Sequence, residues 1–204
     1  MPSRNVLKEQ APESYYHVYA RGVNKQKIFL DATDYKHFLG LFDRYLSKNP
    51  VIGKDGALYP NYLDHIEILA YCLMSNHFHL LVYQYELPFM EKFMRSQMTS
   101  YSKYFNLKYK RTGPMFENRY KAVRIDQDSY LQHITRYIHL NPRFWERYRY
   151  SSLRYYRDGN EPYWLRPDKV LDLFASRQAY IEFAANYEEL HAMFSDLKHS
   201  LADQ

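Results

Sequence analysis

Two histidines, His77 and His79, flank Phe78. Strand side chains alternate with a period of two, so a strand here turns both imidazoles to one face and Phe78 to the other. Imidazoles separated by about 6–7 Å along a strand can share one metal ion. They can equally be core residues, because nine histidines make one such pair unsurprising. A second set lies in QHITRYIHLNP (132–142). There His133, Tyr137 and Asn141 recur at i, i+4 and i+8 and share one helix face. That face suits either chemistry or packing, since the chain holds 23 tyrosines. A third set is basic. Lys92, Arg95, Lys103, Lys108, Lys110, Arg111, Arg119, Lys121 and Arg124 are opposed by one acid, Glu117. Aromatic residues are interleaved among them, which suits phosphate contacts combined with base stacking. A solvated helix face explains the charge as well.

The elements that must position these residues are readable from pattern. SYYHVYARG (14–22) alternates and ends at a glycine, as a strand does. Asp31 is placed to cap a helix over 31–48, with Phe38, Leu41, Phe42 and Tyr45 on one face. A loop rich in Pro and Gly occupies 49–63. HIEILAYCLMS (65–75) and HFHLLVYQY (77–85) form a central antiparallel pair. A long helix follows over about 89–110, a turn-rich loop over 110–118, and a strand over 119–125. Asp126 is expected to cap a helix from about Gln127 to Leu140, stopped by Asn141 and Pro142. The order β-α-β-β-α-β-α predicts an α+β chain whose first six elements make a ferredoxin-like split β-α-β fold with a central antiparallel sheet. Residues 1–13 read as a polar arm and 14–142 as the main domain. Residues 143–204 read as an Arg/Tyr-rich segment with about two helices, the last acidic, packed on that domain.

Composition narrows the classes. The 204 residues are 46% hydrophobic and 25% charged, which permits a core and argues against global disorder. Aromatics make up 18% and there are six glycines, so repetitive and linker-like architectures are excluded. The net charge of +5 combines a basic middle with an acidic end, which suggests a localised surface for a polyanion. Cys72, the lone cysteine, lies in an apolar run and reads as buried packing. With no signal-like or membrane-spanning stretch, the chain is expected to be cytoplasmic, without a membrane partner.

Five blocks carry a family resemblance: YHVYARGVNKQKIFLD (16–31), AYCLMSNHFHLLV (70–82), SYSKYFNLKYKRTGPMFENRYKA (100–122), YLQHITRYIHLNP (130–142) and YSSLRYY (150–156). In this order they resemble the REP-associated tyrosine transposases, within the single-tyrosine HUH transposases of small insertion sequences. The resemblance implies that the central sheet carries the HUH motif as His77 and His79. It makes Tyr137 the nucleophile and Asn141 a third metal ligand, in a position that is Gln or Asn in relatives. The implied metal is Mg²⁺ or Mn²⁺, although two imidazoles also suit Zn²⁺ or Ni²⁺.

The implied activity is cleavage and rejoining of single-stranded DNA at hairpin or palindromic repeat ends, through a 5′-phosphotyrosine link. A phenol has a pKa near 10, so Tyr137 needs help to lose its proton, from the metal, a water or His133. Arg21 and Asn24 are candidate DNA contacts or turn residues, and Arg119 matches the family's arginine. FENRY (116–120) departs from the Trp-Gln-x-Arg-Phe-like block of relatives. Two other readings stay open: a domesticated protein that holds hairpin DNA without mobilising it, and a metal-dependent phosphodiesterase that uses water. A monomer and a homodimer are both compatible with the sequence.

Overall fold

The computed structural model describes residues 10–186. Strands β1 (Ser14–Arg21), β2 (Ile66–Met74), β3 (His77–Gln84) and β4 (Lys121–Ile125) alternate with helices α1 (Ala32–Tyr45), α2 (Phe89–Lys108) and α3 (Asp128–Leu140) in the order β1-α1-β2-β3-α2-β4-α3. The sheet runs β2-β3-β1-β4 with every neighbouring pair antiparallel. This is the split β-α-β topology expected from the pattern.

Each sheet face has its own core. Tyr16, Val18, Phe78, Leu80 and Val82 point one way and pack against Phe38 and Phe42 of α1 and Phe93 and Met94 of α2. Leu81, Ala70 and Cys72 point the other way, against Leu131, Ile134 and Ile138 of α3. Cys72 is buried and free, as its apolar setting predicts. A register shift between Ile68 and Ala70 sends Leu69 and Ala70 to the same face, where both join the α3 core.

The α3 face also carries the residues of interest. The β1–β3 register sets Tyr19 opposite His79 and Arg21 opposite His77. Strand alternation then adds His17, so β1 and β3 together present His17, Tyr19, Arg21, His77 and His79 toward α3.

Helix starts differ in how closely they follow the sequence. Asp31 caps α1 as expected. Its carboxylate accepts from Thr33 and Asp34, and Asp34 returns the contact to make a capping box. Asp126 does not cap α3. The helix begins at Asp128, and the N-cap residue Gln127 makes no side-chain cap. Asp128 puts an acid in the first turn, where the helix dipole favours it.

Beyond α3 the described residues hold three short α-helices, α4 (Leu153–Asp158), α5 (Asp168–Leu171) and α6 (Arg177–Ala185). They are tied to strand β2. Ser152 Oγ accepts from Tyr71 N at 2.8 Å, Tyr156 Oη donates to Leu69 O at 2.9 Å, and Arg166 N donates to Ile68 O at 2.8 Å. β2 is an edge of the sheet, and this covering shields it. Most of the expected N-terminal arm and the end of the expected acidic segment fall outside the described residues. Among the described residues no helix is long and apolar enough to cross a membrane.

Candidate functional site

The site lies where α3 crosses β1 and β3. A cavity of about 300 Å³ is lined by Tyr19, Arg21, His77, His79, Arg119 and Tyr137, among others. The Tyr137 ring sits edge-on to His79, with centroids 5.4 Å apart at 83°, and edge-on to His17 at 5.9 Å and 79°. The rings of His77 and His79 are 5.0 Å apart and perpendicular. Tyrosine and histidine pair therefore meet within one chain.

The hydrogen bonds decide which imidazole nitrogens are available. Asn76 Nδ2 donates to Lys25 O, which fixes its amide and leaves Oδ1 facing His77 Nδ1 at 2.7 Å. A carbonyl oxygen accepts only, so His77 carries its proton on Nδ1. The other nitrogen, Nε2, lies 3.3 Å from Asn141 Oδ1. Burial lowers the His77 pKa to about 4, against a smaller raising effect from Asn141, so the ring is neutral near pH 7 and has a single proton. Neutral imidazole with amide oxygen is a suitable donor set for a cation. His79 is held at Nδ1, 2.9 Å from His17 Nε2, which leaves its own Nε2 as the second nitrogen of a ring lining the cavity. Burial also holds His79 well below the ordinary histidine range. These donors are neutral and oriented by their neighbours, a donor chemistry that suits a divalent metal.

Tyr137 is only 9% exposed. Burial raises its pKa, a hydrogen bond with Asn141 lowers it, and the Arg21 charge lowers it further. Asn141 thus touches both halves of the site, His77 and Tyr137. Their one-turn spacing on α3 makes this possible.

The other residues singled out from sequence divide by location. Arg21 and Lys121 line the site cavity, and the Lys121 ammonium lies 6.0 Å from the Tyr19 ring centroid. Arg119 lines both this cavity and a larger one of about 630 Å³, which Lys103 and Arg95 also line beside Met94, Met98 and Phe116. Asn24 adopts a left-handed conformation (φ 51°) in the turn after β1. Lys110 also has a positive φ, of 51°, just past α2. Arg111 donates to Gln26 Oε1 at 3.3 Å and lies over Phe105.

Three more of these residues have neighbours that the sequence does not show. Lys108 Nζ is 2.8 Å from both Asp31 and Asp34, so two carboxylates neutralise the charge that was expected to meet phosphate. Arg124 pairs with Tyr16, on the strand positions that alternate away from α3, so it is on the opposite sheet face from Tyr137. His133 Nδ1 lies 3.0 Å from Arg136 Nη2, and its ring packs on Phe183 of α6. These contacts give His133 a part in joining α6 to α3.

Sequence reading passed over His17 and Tyr19. Their signal was their spacing, because with Arg21 they occupy alternate positions in HVYAR and must share a face.

Comparison with known proteins bears on the fold and the family. The solved structure of a REP-associated tyrosine transposase bound to a REP hairpin is similar in fold, with a TM-score of 0.52 and 16% identity over 83% of this chain and 94% of that one. A candidate transposase from Deinococcus radiodurans is more distant, at a TM-score of 0.40 and 12% identity over 65% of this chain and 94% of that one. No curated protein sequence matches the chain. The family model described as "Transposase IS200 like" matches residues 10–141, which hold all four strands, Tyr137 and both site histidines, and the chain belongs to that family of transposases.

Proposed function

We propose that this transposase cleaves and rejoins single-stranded DNA at hairpin-bearing ends, with Tyr137 as nucleophile and His77, His79 and Asn141 as ligands of Mg²⁺ or Mn²⁺. The observation that carries the proposal is the meeting of His77 Nε2 and Asn141 Oδ1 at 3.3 Å beside the Tyr137 ring. When bound, the cation supplies polarisation of the scissile phosphate and neutralises charge in the transition state.

The protein's residues perform the remaining work. Arg21, Arg119 and Lys121 attract and orient the phosphate from the cavity wall. Tyr137 Oη attacks phosphorus in line with the 3′ oxygen. The new bond is Oη–P, the broken bond is P–O3′, and the phenolic proton is given up while the leaving 3′ oxygen gains one. A 3′-OH from another end then attacks the phosphotyrosine, restoring the phenol. Bond energy is conserved throughout, so rejoining needs no nucleotide cofactor. The Asn141 hydrogen bond and the Arg21 charge favour the phenolate against the burial that opposes it. His133 receives no proton-transfer role here, since Arg136 and Phe183 hold it. Because Tyr137 meets the histidines within a single copy of the chain, cleavage is expected to proceed in cis.

The test is a single-stranded hairpin oligonucleotide incubated with Mn²⁺. Wild type should give a free 3′-OH fragment and a covalent protein–DNA adduct, and Tyr137→Phe should give neither. Cleavage that persists in Tyr137→Phe assigns the reaction to water and sinks the tyrosine mechanism. Tight hairpin binding by wild type without cleavage favours a DNA-holding protein instead.

A further inference from the structure

We propose that His17 is a positioning residue for His79: it accepts the His79 Nδ1 proton at Nε2 and so holds the His79 Nε2 lone pair toward the cation site. The inference rests on the reading of His79 as a metal ligand and concerns what makes it one.

The two ring nitrogens are 2.9 Å apart, and the ring planes lie within 19° of each other with centroids 5.1 Å apart. Both side chains are buried, at 3% and 5% exposure, so water does not compete for the bond. The sheet fixes their separation. His17 stands opposite Leu81 and His79 opposite Tyr19 in the same antiparallel ladder, so the two histidines are diagonal neighbours on one face. Tyr19 packs against both rings, at 5.2 Å from His17 and 5.8 Å from His79. Tyr137 meets both edge-on from the other side. Neither imidazole has room to turn.

The chemistry follows from proton counting. Two neutral imidazoles joined by one N···N hydrogen bond share a single proton between them. If it sits on His79 Nδ1, the lone pair of His79 Nε2 is available to a metal. If it sits on His17 Nε2, His79 carries its own proton on Nε2 and cannot ligate. Ligation therefore requires His17 to act as acceptor. Metal-bound histidines usually give this bond to a carboxylate, a backbone carbonyl or water, and losing such a partner costs about 10- to 100-fold in metal affinity. An imidazole in this place adds no negative charge to the site.

The experiment is Mn²⁺ titration of the full chain without DNA, followed by calorimetry and by the electron paramagnetic resonance signal of free Mn²⁺. His17→Leu offers no acceptor and should bind Mn²⁺ about 10-fold or more weakly, at a thermal midpoint measured in parallel for the metal-free protein. His17→Gln can accept through Oε1 and should recover most of the affinity. Equal affinity in wild type and His17→Leu overturns the inference while leaving His79 a ligand. Failure of wild type to bind Mn²⁺ overturns both. A direct measurement does not depend on the variants folding. Long-range proton–nitrogen correlation of the histidine side chains in Mg²⁺-loaded wild type should find His79 protonated at Nδ1, and protonation at Nε2 overturns the inference.

Discussion

Two groups of histidines lie on the same side of the sheet, and their hydrogen bonds differ. His139 is fully buried, with Nδ1 2.5 Å from Tyr180 Oη and Nε2 2.7 Å from Ser152 Oγ. Each partner hydroxyl can donate or accept, so either tautomer of His139 is satisfied. His77 and His79 instead line a shared cavity; Asn76 and His17 hold one nitrogen of each, and His77 Nε2 meets Asn141 Oδ1. Burial lowers the pKa in both groups, to about 3 for His139 and about 4 for His77. A depressed pKa therefore does not separate a functional histidine from a structural one here. What separates them is the second nitrogen.

The sharpest test of this contrast is a pair of alanine substitutions. His77→Ala removes a donor from the proposed cation site and should lower the cleavage rate on the order of 10³-fold, equivalent to about 4 kcal/mol of transition-state stabilisation. His139→Ala leaves Tyr180 and Ser152 facing a cavity. It should cost about 2–4 kcal/mol of stability in urea denaturation, while the folded fraction cleaves at the wild-type rate. The comparison collapses if His139→Ala abolishes cleavage by folded protein, or if His77→Ala leaves cleavage intact.

These two histidines also show how far the sequence could be read. The HxH spacing on a strand places both imidazoles on one face without further information, and the β-α-β-β-α-β order follows from periodicity and turn residues. Tyr137 and Asn141 are joined by helix spacing. The distinction between His139 and His77 depends on partners 41 and 64 residues away, Tyr180 and Asn141, which no local pattern encodes. The alternation in HVYAR puts His17 on the site face, but its contact with His79 lies in a cross-strand register. For Lys108, sequence shows the charge but not the two carboxylates that meet it. Asp126 was misread as a cap because α3 starts two residues later.

A smaller effect is the pH dependence of stability. The folded pKa of His139 is depressed to about 3 by burial, while the unfolded chain titrates near 6.5. Between those values the unfolded state binds more protons, so stability is full above about pH 6.5 and falls as pH drops toward 3. Each such histidine contributes a slope of about 1.4 kcal/mol per pH unit in that window. His17, with a pKa also near 3, behaves alike. His139→Gln should therefore reduce the slope of unfolding free energy against pH by about one proton's worth. An unchanged slope would mean that His139 is not held neutral in the folded protein.

The smallest effect extends the comparison from histidines to lysines. Lys121 lines the site cavity, whereas Lys108 is bound to Asp31 and Asp34 where α2 ends over the start of α1. A lysine that neutralises a phosphate releases counterions, so its loss reduces the salt dependence of DNA binding by slightly less than one unit of slope. Lys121→Ala should show that reduction with a single-stranded hairpin and weaken binding several-fold at physiological salt. Lys108→Ala should leave the slope unchanged and disturb only the clamp between the two helices. A reduced slope in Lys108→Ala would show that its ammonium reaches phosphate despite two carboxylates, and being basic, without regard to ion pairing, would then be enough to mark a DNA contact.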